Sequence, residues 1–462
     1  MQHVPRRLVR TVLLVVVAVL AAGCTRAVAG RPVAGSVVRT EGADTGAVNG
    51  SDGGEVDQLA ATAVQDVEAF WAQEFPSTFG EPWEPLRGGY YSVDTSDESA
   101  KPPPCVEKAS DVEGNAFYCP TADAIAWDRT ALLPVLRDRF GDAAVVVVLA
   151  HEMGHAVQRR TGITPEVEQQ RPEQYPTILT EAMADCYAGA FVRWVDEGRS
   201  EHLEIGADAL DSALGALITF RDPVGTSPAD TQAHGSAFDR VSAFQDGYER
   251  EARFCSEMSV DNRVFTQRSF TSSDDRARGG NLPFDDMLNE ITPDLNTYFA
   301  NLVGQRGRTW QQPTSTPTRQ EPDCSGDQGP VAWCPDGAEI EVDVAEELPE
   351  LHEELGDYAT GTLLASRYGL AALSALGEPV EGEDAGQEAL CLAGAYTSEV
   401  FTRTSQGFGL SPGDLDEAVQ VLLNHDYAAR DAAGETSLER GFERVAVFRA
   451  GVFEGLESCG RE

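Results

Sequence analysis

The chain has 462 residues, enough for two or three ordinary domains, and its 42% apolar content supports a buried core. Its 35 basic against 76 acidic residues give a net charge of −41. That balance argues against nucleic acid and anionic lipid surfaces as electrostatic partners, and reads as a solvated acidic surface.

The N-terminus reads as an export signal rather than part of the fold. Arg6, Arg7 and Arg10 precede the apolar run Thr11–Ala22, which is too short to span a bilayer comfortably. The run ends in LAAGC, Leu20–Cys24, which resembles a bacterial lipobox. The resemblance implies a lipoprotein signal peptide over residues 1–23 and acylation, palmitate included, of Cys24. The competing reading is an ordinary secretory signal, and Arg6-Arg7 alone does not separate general from twin-arginine export. Residues 24–56 are rich in Gly, Ala, Val, Thr and Ser without periodicity, and read as the lipidated cysteine followed by a flexible tether.

A helix is expected over Val64–Phe75, carrying Phe70 and Trp71. Next comes FYCPTADAIAWD, Phe117–Asp128. Then AAVVVVLA, Ala143–Ala150, would pass for a buried strand. We read it instead as part of a helix over Asp142–Arg160, with Asp142 as N-cap, Arg159 and Arg160 at the negative end and Gly162 just beyond. That helix contains HEMGH, His151–His155. Residues four apart share a helix face, so both imidazoles can reach one zinc ion, and Glu152 beside them can handle protons. A catalytic zinc needs a third protein ligand and an open position. TEAMADCYAGAF, Thr180–Phe191, is helical in pattern and supplies Glu181 as that ligand. Asp185, one turn on, is placed to hold the free ring nitrogen of a ligand histidine.

The second half repeats the first with its chemistry removed. FYCPTADAIAWD answers to AWCPDGAEIEVD (Ala332–Asp343), and LAHEMGH to LASRYGL, an offset of 215. DCYAGAF answers to LCLAGAY (offset 205), and FDRVSAF to FERVAVF (offset 204). Ser366, Arg367, Leu370, Gly386 and Leu390 stand where His151, Glu152, His155, Glu181 and Asp185 stood, so no metal site can be built there. The fold class expected is α+β, mainly α, as two tandem zincin-like domains over 57–282 and 283–462, the second degenerate. Another helix is expected over Leu295–Val303, and Trp310–Pro322, rich in Pro, Thr and Gln, is read as a loop.

Without Cys24 eight cysteines remain, four in each half. The simplest pairing is Cys105–Cys119 with Cys186–Cys255, and Cys324–Cys334 with Cys391–Cys459; two other connectivities per half stay open. Cys186 adjoins the proposed ligand helix, but its counterpart Cys391 persists where every ligand is lost. A disulfide therefore fits it better than a metal.

With these residues in hand, the stretch from Phe117 to Cys255 resembles the putative neutral zinc metallopeptidases, zincins with an HExxH helix and a downstream ExxADC[YF]AG helix. The pieces that match are FYCP, RFGD, LAHEMGHAVQ, EAMADCYAG and DTQAHGSAFDRVSAFQDGYE. The resemblance implies one Zn2+ per chain held by His151, His155 and Glu181, with Glu152 as catalytic base. It also implies a small sheet beside the active helix, with Ala124–Asp128 as the strand nearest the site. His234, in AHGSAF, has Leu438 as its counterpart; it is read either as an oxyanion donor or as a structural histidine near the cleft. His202, His352 and His425 are read as surface or helix residues.

The expected function is that of a lipid-anchored zinc endopeptidase on the extracytoplasmic side of the cell membrane, acting on a peptide or protein. Its C-terminal half would shape the cleft or hold a partner protein. The alternatives are a non-catalytic binding or scaffold lipoprotein, and a zinc hydrolase of a non-peptide amide in the cell envelope.

Overall fold

The computed structural model describes Val37 and residues 43–322, 324, 326–336, 338–382, 384–403 and 407–460. The signal peptide and Cys24 lie outside the described residues. Among the described residues no helix is long and apolar enough to cross a membrane. The folded body starts earlier than the sequence suggested. A 3-10 turn at Thr45–Ala47 and strand β1 (Val48–Asn49) stand inside the stretch read as tether, and helix α1 (Glu55–Phe79) begins before residue 57.

The first half combines a small sheet with a helical body. Strands β2 (Gly89–Val93), β3 (Ala116–Cys119) and β4 (Ala124–Asp128) join β1 in the order β1-β2-β4-β3, with only β3 antiparallel to its neighbour. Every residue of β4 is buried, as its unalternating AIAWD requires of a strand covered on both faces. Helices α2 (Leu132–Phe140), α3 (Asp142–Arg160), α4 (Pro165–Gln170), α5 (Thr177–Asp196), α6 (Ala207–Thr219) and α7 (Ala237–Ser256) follow, then α8 (Ser273–Arg278). The backbone of α7 departs from helix at Glu251, where φ is 67°.

Helix α3 spans the residues expected for it and is surrounded by α1, α2, α5, α6 and β3. Val145, Val146, Val147 and Leu149 are fully buried, so packing on all sides overrides the strand preference of a valine run. The N-cap is Gly141 rather than Asp142. At φ 79° the glycine turns the chain directly from α2 into α3, and Asp142, now the first helical residue, takes Nε of Arg137 at 2.8 Å.

The second half repeats these elements: α9 (Phe284–Gln305), β5 (Thr314–Thr318), β6 (Val331–Cys334), β7 (Glu339–Asp343), α10 (Glu347–Leu355), α11 (Asp357–Leu376), α12 (Ala385–Thr402), α13 (Asp414–Asn424) and α14 (Gly441–Glu454). Its sheet, β5-β7-β6, reproduces β2-β4-β3 in order and direction. β5 corrects the expected loop at Trp310–Pro322. Three threonines favour extended chain, and Pro317 is tolerated because β5 is an edge strand. The repeat extends to backbone detail. Asp123 (φ 56°) and Ala338 (φ 48°), both with positive φ, sit at the same offset of 215, and Asp128 and Asp343 each cap the turn that follows with their carboxylates.

Helices α5 and α7 pack closely because both crossing residues are glycine. A Cβ on Gly189 would lie 1.9 Å from the Phe244 carbonyl oxygen, and one on Gly247 would lie 1.7 Å from that of Cys186. Gly394 and Gly451 make the same crossing between α12 and α14, at 2.2 Å from Phe448 and 2.3 Å from Cys391. Cys186–Cys255 and Cys391–Cys459 tie these two helix pairs, and Cys105–Cys119 and Cys324–Cys334 complete the simplest pairing.

The halves exchange caps reciprocally. Asp211 on α6 accepts the Gly441 and Phe442 N–H groups at the start of α14 (2.6 and 2.8 Å). Asp416 on α13 accepts the Phe238 N–H at the start of α7 (3.0 Å). Buried Asp246 on α7 adds an ion pair with Arg449 on α14. Residues 34–462 therefore form one compact unit.

Candidate metal centre

α3 and α5 cross where Gly154 meets Ala184; a Cβ at Gly154 would lie 2.8 Å from the Ala184 Cα. This close approach sets His151 and His155 on one helix against Glu181 on the other. Nε2 of His151 is 3.3 Å from Oε2 of Glu181, and Nε2 of His155 is 3.6 Å from Oε1. The three donor atoms lie within 4.8 Å of one another.

Both imidazoles are held from behind. Nδ1 of His151 is 2.7 Å from Oδ1 of Asp185, and Nδ1 of His155 is 3.0 Å from Oε1 of Gln158. Gln158 in turn donates through Nε2 to the Thr180 carbonyl at 2.5 Å, which fixes which end of the amide faces the ring. Each histidine thus donates through Nδ1, so that in the unprotonated ring Nε2 carries the lone pair and faces Glu181. Asp185 is fully buried and accepts two hydrogen bonds from Arg240, Nε to Oδ2 at 2.8 Å and Nη2 to Oδ1 at 2.9 Å.

Zinc fits these residues on two observations. Buried Oε2 of Glu181 meets no donor other than Nε2 of His151, and two imidazole nitrogens with one carboxylate make a usual open-site donor set. Cys324 and Cys334, which also lie near a glutamate, are consumed by their disulfide.

Electrostatics sets the three carboxylates apart. Burial opposes charge on Glu181, but His155 and His151 outweigh it and pull its carboxyl down to about 2. For Asp185 burial is likewise overridden, first by Arg240 and then by His151, leaving it well below the usual carboxylate range. Glu152 differs: burial raises its carboxyl, and the two histidines only partly offset this. The Tyr118 N–H on β3 donates to its Oε2 at 2.9 Å and holds it in place.

Burial disfavours charge on His151 too, yet Asp185 and Glu181 push its imidazolium up to about 10. A folded-state value above the ordinary one means that the metal-free chain keeps this proton at neutral pH. Its stabilising contribution is complete below pH 6.5 or so and is lost as pH rises through about 10. Zinc needs the unprotonated ring. Loading at neutral pH is therefore expected to release the His151 proton, with apparent affinity rising about tenfold per pH unit in this range. Calorimetry in two buffers of different ionisation enthalpy measures the release directly; equal heats in both would contradict the assignment.

The strand nearest the site is β3, not Ala124–Asp128. β4 is paired on both sides and sits inside the sheet, whereas β3 is the edge strand that packs against α3. His234 lies at the rim: its side chain is 54% exposed and its Nδ1 is 3.5 Å from Oδ1 of Asp222. Its backbone N–H donates to Oδ2 of Asp222 at 2.9 Å, as a hydrogen-bonded histidine near the cleft would.

Arg240, Gln158, the Tyr118 amide and Glu168 were not anticipated. Gln158 was detectable, since Leu373 stands at its counterpart position and it disappears together with the ligands. Arg240 was hidden because its counterpart Arg444 persists, there donating to the Leu422, Leu438 and Glu439 carbonyls. Glu168, on α4, is close enough to be acted on by His155 and Glu181, but its exposed-looking PEVEQQ context gives no such signal.

In the second half the equivalent space is filled. Arg367, 1% exposed, donates to Oε1 of Gln328 and to the Tyr427 and Arg430 carbonyls at 2.9, 3.0 and 2.8 Å. Gly386, where Glu181 stood, lets that segment close in; a Cβ there would lie 1.9 Å from the Ala429 oxygen.

Helices α3 and α5, with their His151, His155, Glu181 and Glu152, define a candidate zinc centre of the HExxH type. The chain belongs to the family described as "Putative neutral zinc metallopeptidase", whose model matches residues 6–256, more than half its length. It is 31% identical over 184 residues to the uncharacterized protein Rv2575 of Mycobacterium tuberculosis, covering 36% of this chain and 62% of that protein. It is also 31% identical over 148 residues to the uncharacterized protein YpfJ of Escherichia coli K12, covering 29% and 50%. The chain thus spans less than two thirds of either relative. No solved structure matches it.

Proposed function

We propose that this chain is a membrane-anchored, extracytoplasmic zinc endopeptidase with a single working centre. The observation that carries the reading is the convergence of His151, His155 and a buried Glu181, bonded to nothing outside this trio through Oε2, beside the raised carboxyl of Glu152. Bound zinc would supply Lewis acidity toward a peptide carbonyl and lower the pKa of an attacking water. Glu152, oriented by the Tyr118 N–H, takes the proton of the attacking water and returns it to the leaving amine. Asp185 and Gln158 keep the two imidazoles in their ligating tautomer. Among the described residues the outer edge of β3 has no strand partner, so an extended peptide can align along it beside Glu152. His234, exposed at the rim, is placed to donate to the oxyanion. The anchor rests on LAAGC at Leu20–Cys24, and the C-terminal half, sealed by Arg367, serves as packing partner to α7 and as a surface for another protein.

The test is hydrolysis of an unfolded protein by the zinc-loaded chain. Activity is expected to vanish with 1,10-phenanthroline and return with zinc, at one zinc per chain. His155→Ala should lose both metal and activity. Retained zinc in that variant, or cleavage indifferent to chelation, would refute the reading.

A further inference from the structure

The second half holds three buried carboxylates that neither its packing nor the zinc centre explains. Asp357 opens α11, and Asp414 and Glu417 lie one turn apart on α13; they are 2%, 2% and 7% exposed. A donor oxygen from each lies within 4.8 Å of the others. Each is anchored by one backbone amide: Leu282 N–H to Oδ2 of Asp357 (2.7 Å), Ser411 N–H to Oδ2 of Asp414 (2.8 Å) and Tyr358 N–H to Oε2 of Glu417 (2.8 Å). The other oxygens of the two aspartates, Oδ1 in both, are buried with no hydrogen-bond partner. Among the described residues no basic side chain forms an ion pair with any of the three; Arg278 lies 3.9 Å from Asp275 instead.

The first half shows what is unusual here. Its counterpart of Asp357 is Asp142, whose charge is met by Arg137 at 2.8 Å. His352 stands at the place of Arg137 and makes no ion pair with Asp357. The reciprocal caps Asp211 and Asp416 align α6 with α13 at an offset of 205, which puts Ala209 and Ser212 opposite Asp414 and Glu417. The second half has therefore lost one cation and gained two carboxylates at the same spot. Gly356 completes the arrangement: a Cβ there would lie 2.0 Å from Cδ of Glu417, so only glycine lets that side chain reach the cluster.

We infer that Asp357, Asp414 and Glu417 form a binding site for a hard divalent cation, calcium foremost. The donors are all oxygen, with no histidine or cysteine, which favours calcium or magnesium over zinc. Their donor oxygens, all within 4.8 Å of one another, are close enough to share one ion. Calcium there ties the segment at Leu282 to the start of α11 and to α13, whose Asp416 caps α7 of the catalytic half. The site binds the junction of the halves and is independent of the zinc reading.

The full zinc-loaded chain, freed of other metals, is titrated with calcium chloride by calorimetry and in thermal melts. One calcium per chain is expected, with a Kd on the order of 10⁻⁴–10⁻³ M and a raised Tm. Asp414→Asn and, separately, Glu417→Gln should weaken binding at least tenfold and abolish the Tm shift. Glu181→Gln, in the zinc centre, should bind calcium as the parent does. Terbium emission sensitised by Tyr358, which flanks the cluster, and its reversal by calcium test the site without any variant. No uptake of calcium, magnesium or terbium by the parent chain at about 10 mM, or unchanged calcium binding in folded Asp414→Asn, overturns the inference.

Discussion

Glu152→Gln is expected to keep one zinc per chain and lose about 10³-fold in kcat/KM. The amide oxygen can still accept the Tyr118 N–H, so the side chain stays in place. What it loses is the ability to carry a proton from water to the leaving amine. The parent carboxyl is suited to that exchange because burial raises it, bringing it nearer to neutral pH than an exposed glutamate. Zinc content by atomic absorption and cleavage of an unfolded protein are measured on the same preparation. Undiminished turnover would remove Glu152 from its role; lost zinc would show that it supports the metal instead.

Asp185→Asn is expected to act on both stability and metal affinity. Asp185 is fully buried and is shared by His151 and Arg240, itself 5% exposed. Neutralising it leaves the Arg240 guanidinium buried without a counter-charge, which costs about 3–5 kcal/mol and lowers Tm by roughly 10 °C. It also loosens the tautomer and orientation of His151, so zinc should bind about 10–100-fold more weakly. Thermal melts of the metal-free chain and zinc competition with a chromogenic chelator separate the two effects. The double variant Asp185→Asn/Arg240→Met should be less destabilised than Asp185→Asn alone, because no unpaired charge remains. Equal or greater destabilisation would mean that Arg240 does not act through Asp185.

The candidate metal ligands were legible because their chemistry depends on local spacing. Two imidazoles four apart need only one helix, and Glu181 and Asp185 four apart need only another. The repeat made the rest of the case: it showed which residues leave together, and so marked Cys186 as structural, a reading the Cys186–Cys255 bridge bears out. The same comparison misled at Arg240, whose counterpart Arg444 does an unrelated structural task. The strand beside the site was misjudged, since β4 and β3 differ in pairing partners rather than in composition. β5 escaped notice because Pro317 argues against a strand until its edge position is known.

The linear order of residues by itself determined the helix that carries His151 and His155, the second helix with Glu181 and the emptied copy, since each depends on neighbours within a few turns or on self-similarity. Only the folded chain decided that Tyr118 holds Glu152, that Arg240 stands behind Asp185, and that Asp357, Asp414 and Glu417 meet. Each of those encounters spans 34 or more positions, and the crossing of glycine-lined helices and the exchange of caps between halves bring them about.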